Sequence, residues 1–360
     1  MPDSELVKET SGEGQRIVPS SQTRRGLKNW HLWIGIISSL AFLVLSLNGV
    51  NLAETAKALG RVNIWILIAA VASFVLSIAI KAIRWQLLLT VRKAPSFGRA
   101  FSILTIGQMV NSFLPAHLGE FVRAYLMGEA EADSKIYVLG TVVVERVADL
   151  LLLLVSLLVL LSQMKLPDWL IVSAQDTVWV IVILVPCFLL LAWQRKFTLR
   201  VVEWASRIVP VAWREWIVRQ ARFGLTSLEV VRRPRLLIGL VGLSLVICLN
   251  GAFTNYLVLR ALGISLPIWA PLLLLVVLQV GTVVPSSPGR IGVFQYLTIL
   301  ALSVYSMDKN LAFVYSLLLY LAAYLPTGPI GIYCLWREKV TWNTLDEAAA
   351  VLNRIKNMAK

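Results

Sequence analysis

Two short interruptions, set inside stretches otherwise apolar enough to cross a bilayer, constrain this chain more than any other feature. The first reads Leu114-Pro115-Ala116-His117-Leu118-Gly119-Glu120 and the second Val284-Pro285-Ser286-Ser287-Pro288-Gly289-Arg290. Both run through an aliphatic residue, Pro, two variable residues, an apolar or Pro position, Gly and then a charge. Proline lacks a helical N–H and glycine has low helix propensity, so each cluster unwinds its helix. Unwound backbone at membrane depth persists only where protein buries it or where it lines a wet cavity. Paired breaks in corresponding halves of a chain point to a midplane binding site of the transporter kind. Pro115, Gly119, Pro285, Pro288 and Gly289 are therefore read as structural breaks.

Composition supports the membrane reading. The 360 residues are 58% hydrophobic and 15% charged, with a mean hydropathy of +0.75, values of an integral membrane protein. A formal charge of +14 raises nucleic acid as a partner. No recognised nucleic-acid motif accompanies it, and the basic residues flank apolar spans, so the charge is assigned to a membrane surface. Cys187, Cys248 and Cys334 lie in apolar runs without metal-ligand spacing and read as small buried hydrophobes. His31 and His117 are the whole histidine content, which excludes a histidine-rich metal site; no cofactor is expected.

Residues 1–29 are polar and read as a disordered segment, and the first apolar run, lacking a clear cleavage site, reads as an uncleaved anchor. Full spans are expected near residues 31–47, 64–89, 136–163, 178–194, 236–261 and 311–335. The broken segments occupy 100–127 and 268–305. Residues 48–63 read as a loop. Residues 195–235, rich in Arg and carrying Trp204, Trp213 and Trp216, read as interfacial amphipathic helices interrupted at Pro210, the plainer alternative being a soluble linker. The 337–360 tail has a capping-box pattern, Thr344 with Glu347, and predicts a short surface helix.

The positive-inside rule puts both termini on the cytoplasmic side. If each broken segment crossed once, the basic 195–235 segment would fall outside, against that rule. If each is a hairpin entering and leaving on one side, the basic segment and the tail are both cytoplasmic. The expected fold is thus an all-α polytopic bundle with six full spans and two oppositely oriented re-entrant hairpins, an inverted-repeat arrangement.

The charged residues inside this apolar framework are the candidate site. Asn111 precedes the first break; Glu120 and Arg123 follow it at helical spacing. A helix start favours an anion, and Arg123 offers a bidentate grip on a phosphate, with Glu120 holding Arg123 or carrying a proton. The alternative is a helix cap with an internal ion pair. Glu145, Arg146 and Asp149 follow; Glu145, ten residues past Lys135, lies about 15 Å into the membrane by helical rise. Charges so deep cost about 2.5–3.5 kcal/mol each on insertion scales and mark a pathway, a relay or a neutralising ion-pair network. Lys81 and Arg84 either snorkel or draw a lipid phosphate into a cytoplasmic mouth. Arg290 and Gln295 flank the second break, Arg290 as the external counterpart of the first cluster or as a snorkelling side chain.

On these residues the chain resembles the flippase-like transmembrane region of lysylphosphatidylglycerol synthases. The carriers are Gly107-x3-Asn111-x2-Leu114-Pro115-x2-Leu118-Gly119-Glu120-x2-Arg123, then Glu145-Arg146-x2-Asp149, then Pro285-Ser286-Ser287-Pro288-Gly289-x2-Gly292. The resemblance covers roughly residues 30–336 and implies movement of a lipid, or a lipid-linked headgroup, between leaflets. Family members often place Glu where this chain has Gln295, so proton coupling is not carried over to that position. The aminoacyl-transfer domain of full-length synthases is not expected in this chain, nor is the chain expected to make aminoacyl lipids by itself.

Two readings of function follow. The first is a flippase-like transporter in the inner membrane, acting on an anionic phospholipid or a polyprenyl-phosphate-linked headgroup. The second is a non-transporting membrane partner of a glycosyltransferase or lipid-modifying enzyme, docked on 195–235. An enzyme acting on a lipid phosphate ranks below both, since no metal or nucleophile signature is present.

Overall fold

Short polar side chains start the helices into which the apolar runs fold. The computed structural model describes residues 30–113, 118–208, 211–281 and 288–340, and every regular element among them is helical. The helices are α1 (Trp30–Leu47), α2 (Leu52–Leu59), α3 (Ile64–Leu89), α4 (Phe97–Phe113), α5 (Leu118–Ala130), α6 (Lys135–Gln163), α7 (Asp168–Trp193), α8 (Arg195–Ala205), α9 (Val211–Ser227) and α10 (Glu229–Arg232). They continue with α11 (Pro234–Ala261), α12 (Ala270–Val280), α13 (Val293–Ser303), α14 (Lys309–Tyr324) and α15 (Thr327–Arg337). Asn51 and Asn63 accept backbone N–H groups at the starts of α2 and α3, and Asp308 does so for α14, each satisfying donors that have no partner within the helix.

Three stretches are long and apolar enough to cross a membrane: α3, α11, and α14 with α15. The last of these is interrupted at Pro326. Helix α6, at 29 residues, is as long but carries Glu145, Arg146 and Asp149 in its body. Three expectations change. The segment expected as a loop after the first span contains α2, bent 85° from α1, because Asn51 caps a new helix there. Helix α7 begins at Asp168, not near residue 178. The 1–29 segment, Pro115, Pro210, Pro285 and the tail helix lie outside the described residues. Cys187 is exposed on α7, not buried, among exposed Ile183, Leu184 and Leu190; a thiol behaves there as one more small hydrophobe.

Helices α3 and α11 pack antiparallel along their length. The Asn63 N–H donates to the Ala261 carbonyl at 2.8 Å, joining the start of one to the end of the other. Midway, Ser73 Oγ meets Thr254 Oγ1 at 2.8 Å and Asn250 Nδ2 donates to the Ser73 carbonyl at 2.9 Å, the interhelical polar contacts expected where no water competes.

The two broken segments form helix pairs. In the first, Gly107 and Gly119 let α4 and α5 touch backbone to backbone: a Cβ on Gly119 would overlap the Gly107 carbonyl oxygen. Asn111 Oδ1 accepts the Gly119 N–H at 2.7 Å. Gly119→Ala is expected to split this pair and lower stability by about 1–3 kcal/mol as overpacking, or more because the obstacle is backbone; a thermal melt in detergent measures it. In the second pair, α12 and α13, Gly292 has φ +89°, and a Cβ there would press on the Ser39 carbonyl and the Leu43 nitrogen of α1. At 1.5 Å per residue the arms of this pair, 11 residues each, reach only about 16 Å, well short of a bilayer core.

The pairs meet. A Cβ on Gly289 would lie 3.8 Å from the carbonyl oxygen of Ser112, at the end of α4. Tyr320 of α14 donates to the Gly289 carbonyl at 3.0 Å. One hydrophobic core packs α4 and α5 with α3 and α15, and a second packs α12 and α13 with α14, α11 and the far half of α6. Helix α6 serves both: Tyr137 and Val138 belong to the first core, and Leu153, Leu157 and Leu160 to the second. Its charged residues lie at the seam.

At the other end of the first pair, Glu131 accepts from Lys93 at 2.9 Å and Arg99 at 2.5 Å. The Lys93 hydrogen bond, ahead of the Arg99 contact, holds its carboxyl below the ordinary carboxylate range. A carboxyl with a depressed folded-state pKa adds stability above its unfolded value, and loses it as pH falls through the folded value. Stability is thus expected to fall on acidification below about pH 4, and Glu131→Gln to flatten that slope in melts taken across pH.

Candidate functional site

The seam holds a chain of alternating charge. Arg123, on α5, donates to Glu145 at 2.8 Å and lies over the Trp85 ring with 4.2 Å to its centroid. The Arg84 Nε is 3.6 Å from the same carboxylate. The Arg84 fork grips Asp149 at 2.5 and 3.3 Å, and one of its nitrogens also donates to Ser244 Oγ at 2.9 Å. Glu145 and Asp149 stand one turn apart on α6, so one guanidinium from α3 reaches both. Arg84 and Glu145 are 3% and 4% exposed; such burial is tolerable only because each charge has a partner.

Arg146 points the other way. It donates to Glu120 from Nε at 2.9 Å and again from Nη2. Glu120 occupies the first turn of α5, where the helix dipole favours a carboxylate. Glu120 thus engages Arg146, with Arg123 given to Glu145.

Beside this network lies a cavity of about 330 Å³, bounded by α3, α6, α11, α12, α13 and α14. Lys81, Arg146, Asp149 and Arg290 line it, with Ser77, Ser244 and Tyr324; its apolar wall includes Leu275, Leu278, Val293 and Leu297. Arg84 engages both carboxylates of α6, Glu145 and Asp149. Among the described residues, neither Lys81 nor Arg290 has a direct hydrogen bond or ion pair. Arg290 has φ +56°, between Gly289 at +77° and Gly292 at +89°. A left-handed conformation costs a side-chain-bearing residue of order 1 kcal/mol or more.

The candidate residues therefore divide. Lys81, Arg146, Asp149 and Arg290 come together on the cavity. Arg84, Arg123, Glu145 and Glu120 form the ion-pair frame behind it, and Arg84 is buried, not snorkelling. Asn111 and Gln295 face backbone: Gln295, 3% exposed, accepts the Gly292 N–H at 2.7 Å and caps α13. Trp85, Ser244 and Tyr324 escaped the sequence reading. Ser244 was detectable as a polar residue in an apolar span; nothing in the local sequence marks Trp85 on α3 as the platform for a guanidinium on α5.

A family model for the lysylphosphatidylglycerol synthase TM region matches residues 32–331. The chain belongs to this family. Its membrane character follows from the family together with the apolar helices. A relative, described as a UPF0104 membrane protein of Methanothermobacter thermautotrophicus, is 24% identical over 279 residues, covering 72% of this chain and 80% of the relative. No solved structure matches. The family match takes in both helix pairs and every residue of the cavity.

Proposed function

We propose that this protein moves a lipid with an anionic or lipid-linked headgroup between membrane leaflets. The observation that carries the reading is the pair of cations, Lys81 and Arg290, facing, with the paired Arg146 and Asp149, a cavity lined by one broken helix pair, α12–α13, and by α3, α6, α11 and α14. An uncompensated positive charge in such a place is costly, and an anion entering the cavity relieves it. The phosphate contact is assigned to Lys81 and Arg290, with Arg146 beside them, while Arg123 is occupied by Glu145. Acyl chains remain in hydrocarbon throughout, which avoids about 0.8 kcal/mol per CH₂ of transfer cost.

The topology that goes with this has six full spans, α1, α3, α6, α7, α11 and α14–α15, and re-entrant pairs α4–α5 and α12–α13 opening to opposite sides. Both termini are cytoplasmic in this arrangement. The antiparallel α3–α11 pairing supports it, since the one is read as running inward and the other outward. So do the exposed Trp204, Trp213 and Trp216 on the basic α8–α9 segment, a composition suited to a leaflet surface.

Reconstitution into liposomes with fluorescent anionic lipids tests the function. Transbilayer movement above that of empty vesicles is the expected result; none across several lipid classes would refute it. The alternative, a docking partner of a lipid-modifying enzyme, draws on the cluster of Arg214, Arg219 and Arg222 with Glu203 and Glu215 around a surface depression. Specific enzyme co-purification, lost on Arg-to-Glu changes there and unaffected by changes at Lys81, would favour it.

A further inference from the structure

We infer that the cavity selects a headgroup carrying two negative charges, a phosphate monoester or a diphosphate, over a monoanionic phosphodiester or a zwitterion. The inference rests on the anionic-headgroup reading above and narrows it.

Charge balance in a cavity with apolar residues along its wall favours a dianion. Arg123, Glu145, Arg84 and Asp149 alternate in sign and cancel. Arg146 and Glu120 cancel as a pair. Lys81 and Arg290 remain, and both line the cavity. Asp149 is the sole carboxylate among the described residues of the cavity wall, and Arg84 already grips it on two oxygens. Among the described residues, the site is therefore two positive charges in excess.

A phosphodiester supplies one negative charge and two terminal oxygens. It would leave one cation uncompensated beside Leu275, Leu278 and Leu297, the situation that low-dielectric surroundings penalise. A phosphate monoester offers three terminal oxygens and two charges; a diphosphate diester spreads two charges over two phosphates. Either brings two negative charges to the two cavity cations, the planar Arg290 fork suited to two oxygens and the Lys81 ammonium to one as a point charge. A zwitterion brings its own cation into the excess.

The test uses the full chain, purified in detergent, with lipid binding followed by native mass spectrometry at about pH 8, where a phosphate monoester is dianionic. Phosphatidic acid, phosphatidylglycerol and phosphatidylcholine with identical acyl chains are the probes, and soluble glycerol phosphate is the competitor. Phosphatidic acid is expected to bind about tenfold or more tightly than phosphatidylglycerol, a factor equivalent to 1.4 kcal/mol. Lys81→Met and Arg290→Gly are each expected to bring that ratio toward one. Competition by glycerol phosphate would support the dianion with a free phosphate as source; its failure beside the lipid preference would support it with a lipid as source. Equal binding of the two anionic lipids, or a preference unchanged in both variants, would overturn the inference and leave the anionic-headgroup reading standing. Retention of neither anionic lipid over phosphatidylcholine would overturn both.

Discussion

Arg84→Met is expected to destabilise the protein by about 3–5 kcal/mol, the cost of removing one member of a buried ion-pair network. The substitution keeps much of the volume on α3 but withdraws the guanidinium from two carboxylates at once. Glu145, with 5% of its side chain exposed, retains Arg123; Asp149 loses its charged partner, and Ser244 loses its donor. Asp149 is then left without its guanidinium where α6 packs between the two cores. Thermal melts in detergent and yield after extraction are the measurements. The charge-matched variant Arg84→Met with Asp149→Asn is expected to recover part of the loss, because breaking a pair is worse than removing it. Wild-type stability in Arg84→Met would mean that the network contributes nothing to folding.

Arg290→Gly is expected to leave stability within about 1 kcal/mol of wild type while reducing lipid transport by an order of magnitude or more. Glycine adopts φ +56° freely, so relief of backbone strain offsets the extra freedom that glycine gives the unfolded chain. The loss of transport arises because Arg290 is one of two cavity cations with no direct partner among the described residues. Lys81→Met is expected to act in the same direction, and the double variant to fall to the level of empty liposomes. A stable Arg290→Gly protein with full transport would remove the cavity from the mechanism. A strongly destabilised one would instead make Arg290 a structural residue whose strain is offset by contacts within the fold.

Much of the framework was legible in the chain itself because apolar runs of about 20 residues have few other places to go than a bilayer. The ends of α3 and α11 fall within two residues of the expected limits, since Asn63 and Pro234 are strong local start signals. Helix α2 was missed because eight residues are too short a run to carry a helical pattern until Asn51 is seen to cap them. Among the site residues, the seam on α6 was visible as charge in an apolar run. The partners were not: Arg123 is nearest in sequence to Glu120, yet it pairs with Glu145, because helix packing turns its side chain toward Trp85 and away from the start of α5.

Residue type and order alone thus determined that this chain is a helical membrane protein, with ionisable groups set within apolar runs. Hydrophobicity and the loss of backbone hydrogen bonds at Pro and Gly are local properties, so the one-dimensional pattern records them. Which charges cancel and which are left facing a cavity was decided only in three dimensions. Glu145 lies 61 positions from Arg84, and Arg290 lies far from both; Coulomb attraction acts through distance in space, and only packing α3, α6 and the two helix pairs together sets those distances.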